Sequence, residues 1–251
     1  MPETVPILQT VELSKSFGMV RAADTINVKI EGGEMVGIVG ANGSGKTTFL
    51  NLITGYLTPD HGRILIKGRD STGLPPRLVT KLGLARSFQV PQLYTGLSVL
   101  ENVLLSLAAQ AGKSIGFWRP LYRRQWIDHA EEVLERFGLQ SYARRSVAEL
   151  PEGGRKLLDI ALSFALQPQL LLMDEPTSGV SIEDKFQVMD TLVGVLQRSD
   201  MTAIFVEHDM EVVQRYGQRV LVFNDGAVIA DGKPQEVMAK PEVRSAVLGQ
   251  E

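Results

Sequence analysis

The chain is 251 residues long, 44% hydrophobic and without cysteine; that length holds one large domain or a domain with a lobe, and the missing cysteine excludes disulfides and thiolate metal sites and fits a reducing compartment. A formal net charge of −3 gives no overall basic field to draw the chain to nucleic acid, and no apolar run nears the length that spans a bilayer. The opening residues, Met1-Pro2-Glu3-Thr4-Val5-Pro6, lack the basic and apolar regions of a signal peptide, so any membrane role is expected to be peripheral.

In chain order, residues 8–13 and 25–30 alternate and read as strands, with Lys15-Ser16-Phe17-Gly18 between them. Met35 to Val39 is an apolar run of buried-strand length. Gly40 to Thr48 then reads G-A-N-G-S-G-K-T-T and fits G-x-x-x-x-G-K-[ST]. Residues 48–53 have helical spacing, with Gly55 as a cap. Strand, glycine loop and helix is the arrangement this phosphate-binding motif requires. Glycines let the backbone curl so that its N–H groups face an anion, and the helix N-terminus adds positive dipole. Gly40, Asn42, Gly43, Ser44, Gly45, Lys46, Thr47 and Thr48 are therefore the expected nucleotide contacts, with Lys46 on the β- and γ-phosphates and the Thr47 hydroxyl on Mg²⁺.

Asp60-His61-Gly62 reads as a turn and residues 63–68 as a strand, so the early strands predict an antiparallel sheet beside the nucleotide. Pro75-Pro76 marks a loop or a helix start. Residues 84–89 form a strand with a polar exit. Residues 99–111 and 127–137 are helical, the second with Ala130, Val133, Leu134 and Phe137 on one face, and residues 113–126 break the pattern. Residues 155–166 are helical, 170–173 a buried strand, 183–198 an amphipathic helix and 202–206 a strand ending at Glu207-His208-Asp209. A hairpin turns at Asn224-Asp225-Gly226, and two short helices close the chain. Strands alternating with helices predict a parallel sheet.

Leu170-Leu171-Leu172-Met173-Asp174-Glu175 is the second chemical signal. An apolar strand that delivers two acids at its end fits Asp174 holding Mg²⁺, directly or through water, and Glu175 orienting and deprotonating the attacking water.

With both signals in place, the chain resembles the nucleotide-binding subunit of an ATP-binding-cassette transporter over nearly its whole length. The resemblance implies an α/β fold: a P-loop NTPase core with a mainly parallel sheet (about 1–89 and 150–251), a flanking antiparallel β subdomain and an inserted α-helical subdomain (about 90–149). It implies ATP and Mg²⁺ bound between two head-to-tail subunits. Phe17 sits where the family stacks an aromatic on adenine. Gln89 matches the glutamine that contacts Mg²⁺ and water and signals to the membrane partner. His208 matches the histidine on the γ-phosphate, and residues 178–181 the loop that crosses between subunits, with Ser181 replacing the usual acid.

The signature departs from the family's L-S-G-G-Q. Here it reads Leu150-Pro151-Glu152-Gly153-Gly154, a segment that in the family contacts the nucleotide of the opposite subunit. Pro151 has neither the serine hydroxyl nor a backbone N–H, and Glu152 adds negative charge. Each hydrogen bond lost to a charged group costs roughly 1.5–3 kcal/mol, enough to cripple one site. A heterodimer with an unlike ATP-binding partner keeps one site fully equipped, whereas a homodimer weakens both.

Val206-Glu207-His208-Asp209-Met210, the run from Ala85 to Gln89 with residues 97–103, and the insert before the signature resemble the branch that imports branched-chain amino acids. That branch implies two integral membrane permease subunits, a solute-binding protein and a place on the cytoplasmic membrane face. Urea or amide importers and lipopolysaccharide exporters are close alternatives, and a soluble cassette acting on nucleic acid is a further one. Residues 113–126 carry Lys113, Arg119, Arg123 and Arg124 without an acid, together with Phe117, Trp118, Tyr122 and Trp126. This composition suits lipid headgroups or a membrane protein, single-stranded nucleic acid, or a partly packed surface loop.

Overall fold

The computed structural model describes residues 5–87, 92–111 and 121–248. Two sheets carry it. The first is antiparallel: β1 (Leu8–Phe17) pairs with β2 (Val20–Ile30) and β4 (His61–Ile66), and β4 pairs with β5 (Arg69–Asp70). The strands are longer than their alternation predicts. Lys15 to Phe17 belong to β1, and His61, expected in a turn, pairs with Ser14. Gly62 explains the difference. Its φ is +88°, the register shifts between Val11 and Ser14, and a Cβ at Gly62 would lie 2.4 Å from the Glu12 carbonyl oxygen. This is a glycine bulge within a ladder, which a sequence reads as a turn.

The second sheet runs β10 (Ala227–Gly232), β9 (Arg219–Asn224), β3 (Met35–Val39), β8 (Thr202–Val206), β7 (Leu170–Asp174), β6 (Leu84–Ser87). All neighbours are parallel except β10 with β9. The β9–β10 turn has Asp225 and Gly226 at φ +47° and +79°, the two left-handed residues that a tight hairpin turn needs. Strands β3, β7 and β8 are buried throughout, as parallel strands covered on both faces are.

Alternate side chains of these strands enter two cores. Val36, Ile38, Leu170, Leu172 and Phe223 join the antiparallel sheet and α1 (Lys46–Ile53). Met35, Val39, Leu171, Met173 and Phe205 face the other helices. Those are α3 (Val99–Ala111), α4 (Arg124–Arg136), α5 (Glu152–Ala165), α6 (Ile182–Arg198) and α7 (Met210–Tyr216). A short α2 (Pro76–Lys81) precedes β6, and α8 (Pro234–Met238) and α9 (Pro241–Leu248) end the chain. Helix α4 begins at Arg124, inside the stretch expected to break the pattern, and buries Ala130, Val133 and Leu134 as its periodicity predicts. Helix α5 begins at Glu152, three residues earlier than its apolar period indicates, and this places the glycine pair in its first turn.

Candidate functional site

The loop after β3 is shaped by three glycines. Gly40, Gly43 and Gly45 have φ of +151°, +82° and +104°, backbone geometry that a side chain opposes. Two also leave no room. A Cβ at Gly40 would lie 2.3 Å from the Phe223 carbonyl oxygen, and one at Gly45 2.5 Å from that of Ala22. The loop is thus wedged between the two sheets. The Gly226 N–H donates to the Ser44 carbonyl (2.9 Å) and the Asp24 N–H to the Gly226 carbonyl (2.8 Å). From inside the loop, Lys46 Nζ donates to the carbonyls of Gly40 (2.7 Å) and Ala41 (2.9 Å). Burial pushes the Lys46 ammonium below its usual range, and Glu175 and Asp174 oppose that shift.

The acids sit at the end of β7. Asp174 is 7% exposed, and its Oδ2 accepts from Arg86 Nη2 at 2.6 Å. Arg86 Nη1 donates to Asn51 Oδ1 on α1 at 2.7 Å. One guanidinium therefore ties β6, the phosphate-loop helix and the metal-type acid together. Glu175 leaves the strand with φ +49°, an uncommon conformation for a non-glycine residue and one found at functional sites. Its Oε1 lies 3.1 Å from His208 Nε2. The next residue back, Glu207, is 4% exposed. Its Oε1 accepts from the Thr177 N–H (2.9 Å) and hydroxyl (2.7 Å), and burial raises its pKa. Asp209 caps α7 through the N–H groups of Glu211 and Val212 and pairs with Lys185.

The loop fits a polyphosphate. The Ser44 hydroxyl is buried without a partner among the described residues, and Asn42, Gly43 and Thr47 are exposed while Thr48 is half-buried. Mg²⁺ fits the remaining donors. No group of three or more metal-binding His, Cys, Asp or Glu side chains exists among the described residues. An ion that keeps waters and phosphate oxygens needs only Thr47 and Asp174 from the protein.

Phe17, 50% exposed, ends β1 in the hairpin whose Ala22 carbonyl packs under Gly45. The signature lies apart from the loop, and among the described residues no hydrogen bond joins 150–154 to 40–48. Leu150 is buried, and Pro151 precedes α5 in an extended conformation. The N–H groups of Glu152, Gly153 and Gly154 occupy the first turn, where no intrahelical acceptor exists. The exposed Glu152 carboxylate lies beside Gly179, where a Cβ would come within 2.8 Å of Oε1. Ser181 caps α6, its hydroxyl accepting from the Asp184 N–H. Gln89 falls outside the described residues, as do Lys113, Phe117, Trp118 and Arg119. Among the remaining residues of the insert, Tyr122 donates to Glu101 Oε1 at 2.6 Å and the Arg123 guanidinium lies 4.8 Å from the Trp126 ring. The sequence reading missed Arg86 and Lys156. Their only signal was a cation in an apolar strand and another on the buried face of α5.

A glycine-wedged phosphate loop beside a two-acid strand end, with an antiparallel sheet and a set of helices attached, defines a nucleotide-hydrolysing cassette. Residues 23–178, more than half the chain, match the family model for the ABC transporter, and the chain belongs to that family as an ATP-binding, ATP-hydrolysing subunit. It is 32% identical over 251 residues to the high-affinity branched-chain amino acid transport ATP-binding protein LivG of Escherichia coli K12, covering 98% of each chain. It is 34% identical over 250 residues to a probable LivG of Archaeoglobus fulgidus, covering 97% and 95%. Among solved structures, the ADP conformation of an ATP-binding cassette of an ABC transporter superposes with a TM-score of 0.87 at 28% identity, covering 98% of this chain and 100% of that one. A dimeric post-hydrolysis cassette bound to ADP and Pi superposes at 0.76 and 26% identity, covering 90% and 98%. No described helix is long and apolar enough to cross a membrane.

Proposed function

We propose that this chain drives an importer of branched-chain amino acids, working with an unlike ATP-binding partner, two integral membrane permease subunits and a solute-binding protein, from the cytoplasmic face of the membrane. The names of the relatives support the cargo, and the dimeric cassette supports the pairing. The observation that carries the catalytic reading is the Glu175–His208 contact, with Glu175 near enough to Lys46 of the loop for their charges to interact.

In this reading the residues from Gly40 to Thr48 cradle the phosphates of ATP, and Lys46 leaves its two carbonyls to meet the β- and γ-phosphates. Phe17 stacks on adenine. Thr47, Asp174 and Gln89 hold Mg²⁺, which when bound neutralises phosphate charge. Glu175 takes the proton of the attacking water, and His208 orients Glu175 and reaches the γ-phosphate. Residues 150–154 meet the partner's nucleotide, and the helical lobe of about 90–149 passes closure and opening to the permeases. A general base contributes about 10²–10⁴-fold, so Glu175→Gln should bind ATP, lose at least about 100-fold in kcat and stall in the closed dimer. Purified from native membranes with Mg-ATP, it should carry two membrane proteins and a second, unlike ATPase. Recovery of self-dimers alone, or of nucleic acid, would overturn the importer reading.

A further inference from the structure

Helix α5 carries a lysine that the proposed chemistry does not use. Lys156 is 4% exposed and lies one turn after the point where α5 begins. Its Nζ donates to the Glu175 backbone carbonyl at 3.2 Å. Glu175 is the residue held at φ +49°, where the chain leaves β7 and starts the loop to Ser181. The same helix touches that loop again: Glu152, its first residue, packs against Gly179. The first two turns of α5 thus meet the loop at two points: the buried Lys156 ammonium donates to the Glu175 carbonyl, and the Glu152 carboxylate lies in contact with Gly179.

Burying an ammonium is costly without compensation. Burial does push the Lys156 pKa down, and Asp159, Glu175, Glu207 and Asp174 counter it. A methionine of similar length would pack there without that cost, so packing alone does not account for the cation. One of its N–H groups donates to the Glu175 carbonyl, on the residue whose backbone conformation sets the direction of the Glu175 carboxylate.

We infer that Lys156 is a positioning residue for hydrolysis, and that with Glu152 it couples the signature end of α5 to the chain's own catalytic carboxylate. The inference rests on the assignment of Glu175 as the base. It also gives Glu152 a task within its own subunit. A shift of α5 when residues 150–154 engage the partner's nucleotide is transmitted through Lys156 to Glu175, so each site's hydrolysis depends on the occupancy of the other.

The test uses the full chain assembled with its membrane subunits, with kcat and KM for ATP measured for wild type, Glu175→Gln, Lys156→Met, Lys156→Arg and Glu152→Ala. Small displacements of a catalytic group cost up to about 100-fold, so Lys156→Met should lower kcat about 10- to 100-fold. Because the phosphate loop is untouched, KM should stay within roughly twofold. Lys156→Arg, which keeps a cation and N–H donors, should recover most of the rate. Glu152→Ala, exposed and safe for folding, is measured in a complex whose partner site is inactivated, so that the charge removed beside the partner's nucleotide does not enter; there it should lower kcat about threefold at constant KM and reduce the Hill coefficient for ATP. A wild-type kcat in Lys156→Met, or a loss of kcat matched by an equal rise in KM, would overturn the inference. If Lys156→Met does not fold, an unchanged kcat and Hill coefficient in Glu152→Ala overturns it. If Glu175→Gln keeps the wild-type rate, the assignment of the base itself fails, whatever Lys156 does.

Discussion

Two segments of this molecule set glycines at the start of a helix, and they use them for opposite reasons. In the phosphate loop, Gly40, Gly43 and Gly45 have positive φ, and Gly40 and Gly45 are walled in by backbone carbonyls. The loop is a finished object, held by two sheets before any ligand arrives. In the signature, Gly153 and Gly154 are ordinary helical residues. A Cβ there would meet only side chains, Val188 Cγ2 at 3.2 Å from Gly153 and Leu150 Cδ2 at 3.2 Å from Gly154. The first segment is built by its backbone and the second by its neighbours, and only the second tolerates departures such as Pro151 and Glu152.

The sharpest test of the first segment is its buttress. Arg86→Met strips the partner from a buried carboxylate, and breaking such a pair costs about 3–5 kcal/mol. Urea denaturation should show that loss. Gly45→Ala, with backbone strain of about 1–3 kcal/mol and a carbonyl in the way, should weaken binding of a fluorescent ATP analogue roughly 100-fold. Pro151→Ser restores a hydroxyl and a backbone N–H, of which at least one can donate toward the partner's nucleotide. In the proposed heterodimer it should raise hydrolysis at the partner's site by about tenfold, at about 1.5 kcal/mol for such a bond. Gly153→Ala is the same exchange as Gly45→Ala with the opposite expectation. Gly153 lies in the first turn of α5 with ordinary helical backbone, so alanine meets no backbone obstacle; the Val188 methyl must give way, and the chain's own ATP affinity should not change. An equal loss of affinity in the two alanine variants would break the comparison.

Asp209→Ala lies outside both segments and gives the baseline. Loss of the α7 cap costs about 1 kcal/mol at pH 7. The Asp209 pKa lies below its ordinary 3.8, first because of Lys185. The ion-pair part of its stability is therefore present above 3.8 and lost as pH falls through the lower folded value. The gap between variant and wild type should narrow in that window.

The same contrast explains what the sequence made legible. The phosphate loop could be read because its residue types are dictated by backbone geometry that few other residues satisfy. Asp174 and Glu175 were visible because acids ending an apolar strand are conspicuous. The start of α5 was misplaced because two glycines depress helix propensity, while Glu152 favours a first turn through the helix dipole. The brevity of α7 hid it, although Asp209 is a sound N-cap. The bulge at Gly62 looked like a turn because a glycine in either place reads alike. Arg86 to Asp174 and Lys156 to Glu175 were not legible, since each joins distant parts of the chain and a cation carries no record of its partner.

The hydrogen bond from the Gly226 N–H to the Ser44 carbonyl has a consequence for synthesis. The loop leaves the ribosome well before the hairpin turn that completes it, which lies near residue 226. At about 5–20 residues per second, a nascent chain spends on the order of ten seconds with its phosphate loop exposed and unsupported. ATP is then a ligand of the finished protein rather than a nucleus for folding. A ribosome-stalled chain ending before β9 should fail to retain nucleotide even though the whole glycine motif is present.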